Sequence, residues 1–311
     1  MSNKQNQRLA GKVAVITGGA SGIGRALSLE LASRGAEVVL ADRQTDLARE
    51  VAESIRGAGG RAEVAELDVR DAAAFRRVVL DARRRSGHID YLFNNAGIAV
   101  GGAVDSYTQA DWDDVIDVNL RGVTHGIQAA YAAMIAQGSG HIVNTASMAG
   151  LVATPGEGSY VATKHAVVGL TRSLRLEAAR HGVRASALCP GAIRTPILTG
   201  GRYGRLNMGG VGNEHIMRLW ERMRPMPPDV FARRAIDAVL RNDAIIVLPS
   251  WWKAFWYLDR LSPSVSSGLW TRVFDRMRAE LEANGASFVP RPPEDPAANG
   301  AELSRPSPRA G

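Results

Sequence analysis

Tyr160 and Lys164 stand one helical turn apart in the stretch Tyr160-Val161-Ala162-Thr163-Lys164. That spacing puts both on one face of a helix. An unperturbed tyrosine, with a pKa of about 10, is a poor base at neutral pH. A neighbouring ammonium, or any positive group bound beside it, favours the phenolate and brings that pKa down. The pair is therefore suited to general acid–base work at a hydroxyl or carbonyl oxygen. Ser147 follows an apolar run that starts at His141, and its hydroxyl can hold the same oxygen.

A second constellation is Thr17-Gly18-Gly19-Ala20-Ser21-Gly22-Ile23-Gly24, between an apolar run and a helical pattern. Glycine is required where backbone passes within contact of a pyrophosphate, and the following helix N-terminus offers unpaired N–H groups and a partial positive charge. The spacing of Gly18, Gly22 and Gly24 differs from the GxGxxG fingerprint, so it is the position after a first strand that points to a dinucleotide. Asp42 closes the next apolar run. A carboxylate there accepts hydrogen bonds from both adenine-ribose hydroxyls and repels a 2′-phosphate, which favours NAD over NADP. Arg43 pulls the other way, since it can stack on adenine or grip a 2′-phosphate if Asp42 swings aside.

The elements that must position these groups are legible in the pattern. Short apolar runs begin at Val13, Glu37, Ala62, Asp90, His141, Val183 and Ala244, separated by longer alanine- and arginine-rich stretches of helical spacing. Continuous apolar strands alternating with helices predict a doubly wound, seven-stranded parallel sheet of Rossmann type, covered on both faces. Ligands of such sheets lie outside the strands' carboxyl ends. The expected catalytic domain spans residues 1–250 and includes a substrate lid at 196–228, with Gly200, Gly201, Gly209, Gly210 and Gly212 lending it freedom. An aromatic-rich helical appendage is expected over 251–285, and a disordered tail over 286–311.

The set of motifs resembles the short-chain dehydrogenase/reductase family, in its shorter single-domain branch. The resemblance runs over about residues 8 to 250. Thr17 to Gly24, with Ser21 and Ile23, is similar to the family's TGxxxGIG cofactor turn. Asp68-Val69 is similar to the pair that contacts the adenine. Asn94-Asn95-Ala96-Gly97 is similar to the NNAG segment that steadies the sheet and lines the cofactor. Pro190-Gly191, Ile193 and Thr195 fall in a PGxxxT segment that touches the carboxamide side of the nicotinamide. The resemblance implies that Tyr160 is the acid/base and that Lys164 lowers its pKa and holds the nicotinamide ribose. It also implies that Ser147 positions the substrate oxygen, and that Asn119 interrupts its helix and holds a water linking Lys164 to solvent. It implies an NAD(P)(H)-dependent oxidoreductase acting on a secondary alcohol or ketone, and a homo-oligomer, dimer or tetramer, built on the helices around Asn119 and Tyr160. The competing readings are an NADP(H)-preferring ketoreductase and a non-catalytic nucleotide sensor. The intact Tyr160–Lys164 pair argues against the sensor.

The appendage bears on the substrate. Trp251-Trp252, Phe255-Trp256-Tyr257 and a step-of-four series Val265, Leu269, Val273, Met277, Leu281 predict two helices with apolar faces, joined near Pro263. These faces pack on the domain, on a sister subunit or over the pocket. In the sharper alternative they rest on a membrane surface. Either way the surroundings are oily, so a lipophilic small-molecule substrate is expected. A net charge of +7 is spread along the chain without an aromatic-studded basic cluster, so no nucleic-acid role is expected. Cys189 is the one cysteine and the six histidines are scattered, so no disulfide and no metal site are expected. The polar start of the sequence reads as lacking a secretory segment, and a cytoplasmic location is the expectation.

Overall fold

The computed structural model describes residues 9–199, 201–206 and 213–285. In chain order the strands are β1 (Val13–Thr17), β2 (Glu37–Asp42), β3 (Arg61–Glu66), β4 (Tyr91–Asn94), β5 (Ala99–Gly101), β6 (Gly140–Thr145), β7 (Val183–Pro190), β8 (Gly204–Leu206) and β9 (Ile245–Leu248). The helices are α1 (Gly22–Ser33), α2 (Thr45–Gly57), α3 (Ala72–Ser86), α4 (Gln109–Ile116), α5 (Gly122–Gln137), α6 (Gly158–Ala178), α7 (Asn213–Arg222), α8 (Pro228–Leu240), α9 (Lys253–Leu261) and α10 (Pro263–Ala283).

Seven of the strands form one sheet in the order β3-β2-β1-β4-β6-β7-β9, and every pairing in it is parallel. The two-residue period of a strand splits its side chains between the faces. Ala14, Ile16, Val38 and Leu40 pack with Leu27, Leu31, Val51, Phe231 and Ile236 from α1, α2 and α8. Val15, Val39 and Ala41 pack with Phe75, Val79, Ala130, Met134 and Leu174 from α3, α5 and α6. Each large aliphatic or aromatic side chain so buried contributes about 1.5–3 kcal/mol before conformational entropy is charged against it. The seven-stranded sheet and the C-terminal helices expected from the sequence are both present. The small β5–β8 ladder is an addition that no periodicity announced, because each strand is only three residues long.

Chain order reverses between β1 and β4. A crevice opens there because the connections on either side leave in opposite directions. A single cavity of about 850 Å³ occupies that place, lined by Gly18 after β1, Asp42 at the end of β2, Asn95 after β4, Thr145 at the end of β6 and Pro190 at the end of β7. Its outer wall comes from α7, with Ile216, Leu219 and Trp220, and from α10, with Trp270, Phe274, Met277 and Leu281.

The expected stripe of α10 is corrected in one respect. Val265 is 58% exposed while Leu281 is buried. Steps of four residues advance about 40° beyond a full turn each time, so four steps carry the series about 160° around the helix. The face turned inward is instead Ser266, Trp270, Phe274, Met277 and Leu281. Among the described residues no helix is long and apolar enough to cross a membrane. Gly200, Gly209, Gly210 and Gly212 of the expected lid, and the tail 286–311, lie outside the described residues.

Candidate active site

The glycine turn is shaped by close approach. Gly18 (φ +65°) and Gly22 (φ +50°) take left-handed backbone that side chains resist. A β-carbon on Gly24 would fall 1.9 Å from the Gly18 carbonyl oxygen. Ser21 precedes α1 but makes no side-chain capping bond, and the first turn of α1 holds no acid. The N–H groups of that turn and the Ser21 hydroxyl therefore face the cavity beside Ile23 without an anionic competitor. Thr195 closes the other side, with its side chain 3.3 Å from the Gly22 β-position.

Asp42 is buried, and it is tied at both oxygens. Oδ2 accepts from the Ala20 N–H at 3.0 Å and Oδ1 from the Gln44 N–H at 2.9 Å. Each oxygen keeps a lone pair for a further donor. Swinging Asp42 aside would break both bonds. Arg43 is exposed, and its Nε lies 3.8 Å from Asp68, which Arg70 also grips. Val69 lines the cavity next to it. Asn95 is locked to β1, since its N–H and that of Ala96 both donate to Thr17 Oγ1 at 3.0 Å and its side-chain amide donates to the Thr17 carbonyl at 3.1 Å. Pro190, Gly191 and Ile193 follow β7, where Gly191 N–H donates to Leu248 O and Ile193 bridges to Met226. Taken together the cradle fits a dinucleotide: a small-residue turn, free helix N–H groups and an accepting carboxylate beyond them.

Tyr160, Lys164 and Ser147 line the same cavity, and Asn119 is buried behind Gly97, on the side that Lys164 also faces. Lys164 Nζ lies 5.3 Å from the Tyr160 ring centroid and donates to the Thr145 carbonyl at 2.9 Å. The Ser147 hydroxyl faces the cavity with Tyr160, and its Oγ accepts from the Ala149 N–H at 3.1 Å. Asn119 sits in a π-helical turn, Asp117–Arg121, that joins α4 to α5. Its amide exchanges bonds of 2.9 Å with both the N–H and the carbonyl of Ile98. Gly97 leaves room between them, because a β-carbon there would meet Asn119 Oδ1 at 3.3 Å and Lys164 Nζ at 3.5 Å.

The electrostatics differ from the sequence expectation for Tyr160. Burial, followed by the nearby Glu157 carboxyl, pushes its pKa above the ordinary tyrosine value, and the neighbouring Ser147 hydroxyl offsets only part of this. Burial also holds Lys164 down at about 8. In the protein alone Tyr160 is thus a held proton donor, because desolvation of the phenolate outweighs the partly neutralised ammonium.

No sequence pattern marks Glu157 and Thr154, which line the cavity with Tyr160. Neither belongs to a spaced motif. Trp252 was visible only as part of the aromatic appendage. Cys189 is buried and its thiol is pushed up to about 12 by that burial, and His141 is buried against Ser186. Among the described residues no group of three or more His, Cys, Asp or Glu is placed to hold a metal.

Comparison with known proteins agrees with this geometry. The family model described as short chain dehydrogenase matches residues 12–203. Oxidoreductase UcpA of Escherichia coli is 40% identical over 191 residues, covering 61% of this chain and 72% of UcpA. The 2,5-dichloro-2,5-cyclohexadiene-1,4-diol dehydrogenase LinX of Sphingobium indicum is 40% identical over 190 residues, covering 61% of this chain and 76% of its own. A short-chain dehydrogenase/reductase of Burkholderia phymatum, solved in complex with NAD, superposes with a TM-score of 0.73 at 31% identity, covering 83% of this chain and 95% of its own. This chain belongs to the short-chain dehydrogenase/reductase family of oxidoreductases. The family match stops at residue 203, so α7 to α10 lie beyond it.

Proposed function

We propose that the protein is an NAD-dependent dehydrogenase/reductase that interconverts a lipophilic secondary alcohol and its ketone, with Tyr160 as general acid/base. The observation that carries this is that Tyr160, Lys164 and Ser147 line one cavity together with the residues of a dinucleotide cradle. A bound nicotinamide would supply or accept the hydride. In reduction, Tyr160 gives its hydroxyl proton to the carbonyl oxygen as the hydride reaches the carbonyl carbon, so a C–H and an O–H bond form while the π bond is lost. Ser147 donates a hydrogen bond to the same oxygen and keeps it at Tyr160. Lys164 stabilises the phenolate left behind and holds the ribose hydroxyls of the cofactor. Both Asn119 side-chain ends are engaged with Ile98, so a proton-relay water beside Lys164 takes the Asn119 main chain or the second lone pair of Oδ1.

NAD rather than NADP is supported by the two backbone bonds that hold Asp42 toward the cradle. Gly18, Ser21, Gly22, Ile23 and Gly24 take the pyrophosphate, Asp68 and Val69 the adenine, and Asn95, Ala96, Gly97, Pro190, Gly191, Ile193 and Thr195 the nicotinamide half. A lipophilic substrate is supported by the apolar outer wall, with Leu198, Trp220, Met223, Trp252, Trp270, Phe274 and Met277. The name of LinX, a dehydrogenase of a carbocyclic diol, is in keeping with a secondary-alcohol substrate. The 196–228 segment acts as a lid, and the protein assembles as a homo-oligomer through the outer faces of α5 and α6.

The test is a panel of long-chain and alicyclic alcohols and ketones with NAD(H) and NADP(H), followed at the nicotinamide absorbance. Turnover in the native protein that disappears in Tyr160→Phe, with NADH binding kept, supports the reading. Undiminished turnover in Tyr160→Phe sinks it.

A second reading adds peripheral contact with a lipid surface. It is favoured by Tyr257 and Leu261 of α9 and Val265 of α10, which stand exposed on the C-terminal helices. Lipid-vesicle flotation of the full chain tests it, and absence of flotation ends it.

A further inference from the structure

Four carboxylates line the cavity, and three are accounted for. Asp42 takes two backbone N–H groups. Asp68 is gripped by Arg70. Glu280 forms a two-bond pair with Arg222 at 2.6 and 2.8 Å. The Glu157 carboxyl has a single hydrogen bond, from the neutral Thr154 hydroxyl at 3.2 Å, and no ion pair among the described residues.

Nothing in the fold requires that carboxyl. Glu157 stands at the N-cap of α6 but makes no capping bond with its side chain. It lies in the wall that also carries Trp252, Trp270, Phe274 and Met277. The loop that carries it is seated by the appendage, since Phe274 Cε2 comes within 3.2 Å of the Gly156 β-position. Holding an acid half-buried in such surroundings costs free energy unless something hydrogen-bonds to it. A partner that arrives with the substrate accounts for its presence. Its position, three residues before Tyr160 at the mouth of the same helix, puts that partner a few bonds from the reacting oxygen.

Resting on the dehydrogenase reading above, we infer that Glu157 is a specificity-determining residue that hydrogen-bonds a second hydroxyl of the substrate, so that the preferred substrate is a diol or hydroxyketone on an apolar skeleton. Burial raises Glu157 toward its neutral form. A neutral carboxyl can both accept from and donate to a hydroxyl, whereas an ammonium calls for the ionised form.

The test uses decan-2-ol, decane-1,2-diol and 1-aminodecan-2-ol, which share the reacting carbinol and differ in one substituent. The native enzyme is expected to prefer the diol over decan-2-ol by about tenfold or more in kcat/KM, the range of a hydrogen bond to a carboxyl group. Glu157→Leu should bring the two within about threefold, a ratio from which any common effect on Tyr160 cancels, and Glu157→Gln should retain most of the preference. Equal kcat/KM for the diol and decan-2-ol in the native enzyme overturns the proposal and leaves the dehydrogenase reading standing. A preference for the amino alcohol overturns the choice of hydroxyl. Calorimetric binding of the same three compounds to Tyr160→Phe in the presence of NADH reads Glu157 without turnover. Tighter diol binding there supports the proposal even if the reaction assignment fails, and indifference between diol and alcohol overturns it.

Discussion

The indole of Trp252 lies against Gly191 so closely that a β-carbon on Gly191 would fall 2.2 Å from Nε1. Trp252 is buried, and Nε1 has no hydrogen-bond partner among the described residues. This contact joins the segment after β7 to the start of the appendage. A rigid indole cannot retreat as the end of a flexible side chain could. Gly191→Ala is expected to displace Trp252 and cost about 1–3 kcal/mol, as overpacking does. It should also impair turnover of bulky apolar substrates more than small ones. Thermal melting and a comparison of short- and long-chain alcohols check this; an unchanged melting temperature would show that the contact relaxes freely.

Lys164 carries a charge that folding disfavours. Its folded pKa is about 8 against an ordinary lysine value of 10.5. Between those values the unfolded chain holds the extra proton, so stability rises with pH there, and the cost is fully present below pH 8. Its size is about 3 kcal/mol from the pKa difference. Lys164→Met should abolish turnover yet raise unfolding stability at pH 7, by less than that figure because the bond to Thr145 O is lost as well. The gain should shrink as pH climbs from 8 toward 10.5. Urea titrations across that range give the answer, and a gain independent of pH would contradict the assignment.

Asp42 sets the cofactor preference proposed above. NADH is expected to bind the native protein more tightly than NADPH by about tenfold or more, the scale of a charge-assisted bond lost and a repulsion gained. Asp42→Ala should narrow or reverse the gap, with exposed Arg43 left to meet a 2′-phosphate. Fluorescence titration with both reduced cofactors decides it, and equal affinities in the native protein would refute it.

His141 makes the acid limb steep. Burial lowers its pKa to about 3. Ser186 spends its own proton on the Asp243 carbonyl at 2.6 Å, so the His141 Nε2 at 2.9 Å from Ser186 Oγ donates to it. The unfolded chain takes up a proton near pH 6.5 that the folded one refuses until about 3. Stability is therefore lost as pH falls below 6.5. The loss should reach about 2 kcal/mol between pH 7 and pH 5. His141→Gln should remove that share of the slope, as read from denaturant midpoints at the two pH values.

The sheet, its seven strands and the placing of the glycine turn, Asp42, Ser147, Tyr160 and Lys164 at strand and helix ends were determined by the sequence itself. Apolar runs of strand length and the Tyr160–Lys164 spacing are local properties, and a parallel sheet brings the ends of its strands to one edge whatever the loops do. Three matters were left to the tertiary structure. The sign of the Tyr160 shift depends on how deeply the pocket buries it and on Glu157, which belongs to no motif. The inward face of α10 depends on the helix's 100° step measured from its actual docking, which put Phe274 against Gly156 and left Val265 outside. Trp252 and Gly191 meet only because the chain after β9 returns to the end of β7, the neighbouring strand. Burial and contact between residues far apart in the chain are properties of the packed whole, and no window of sequence contains them.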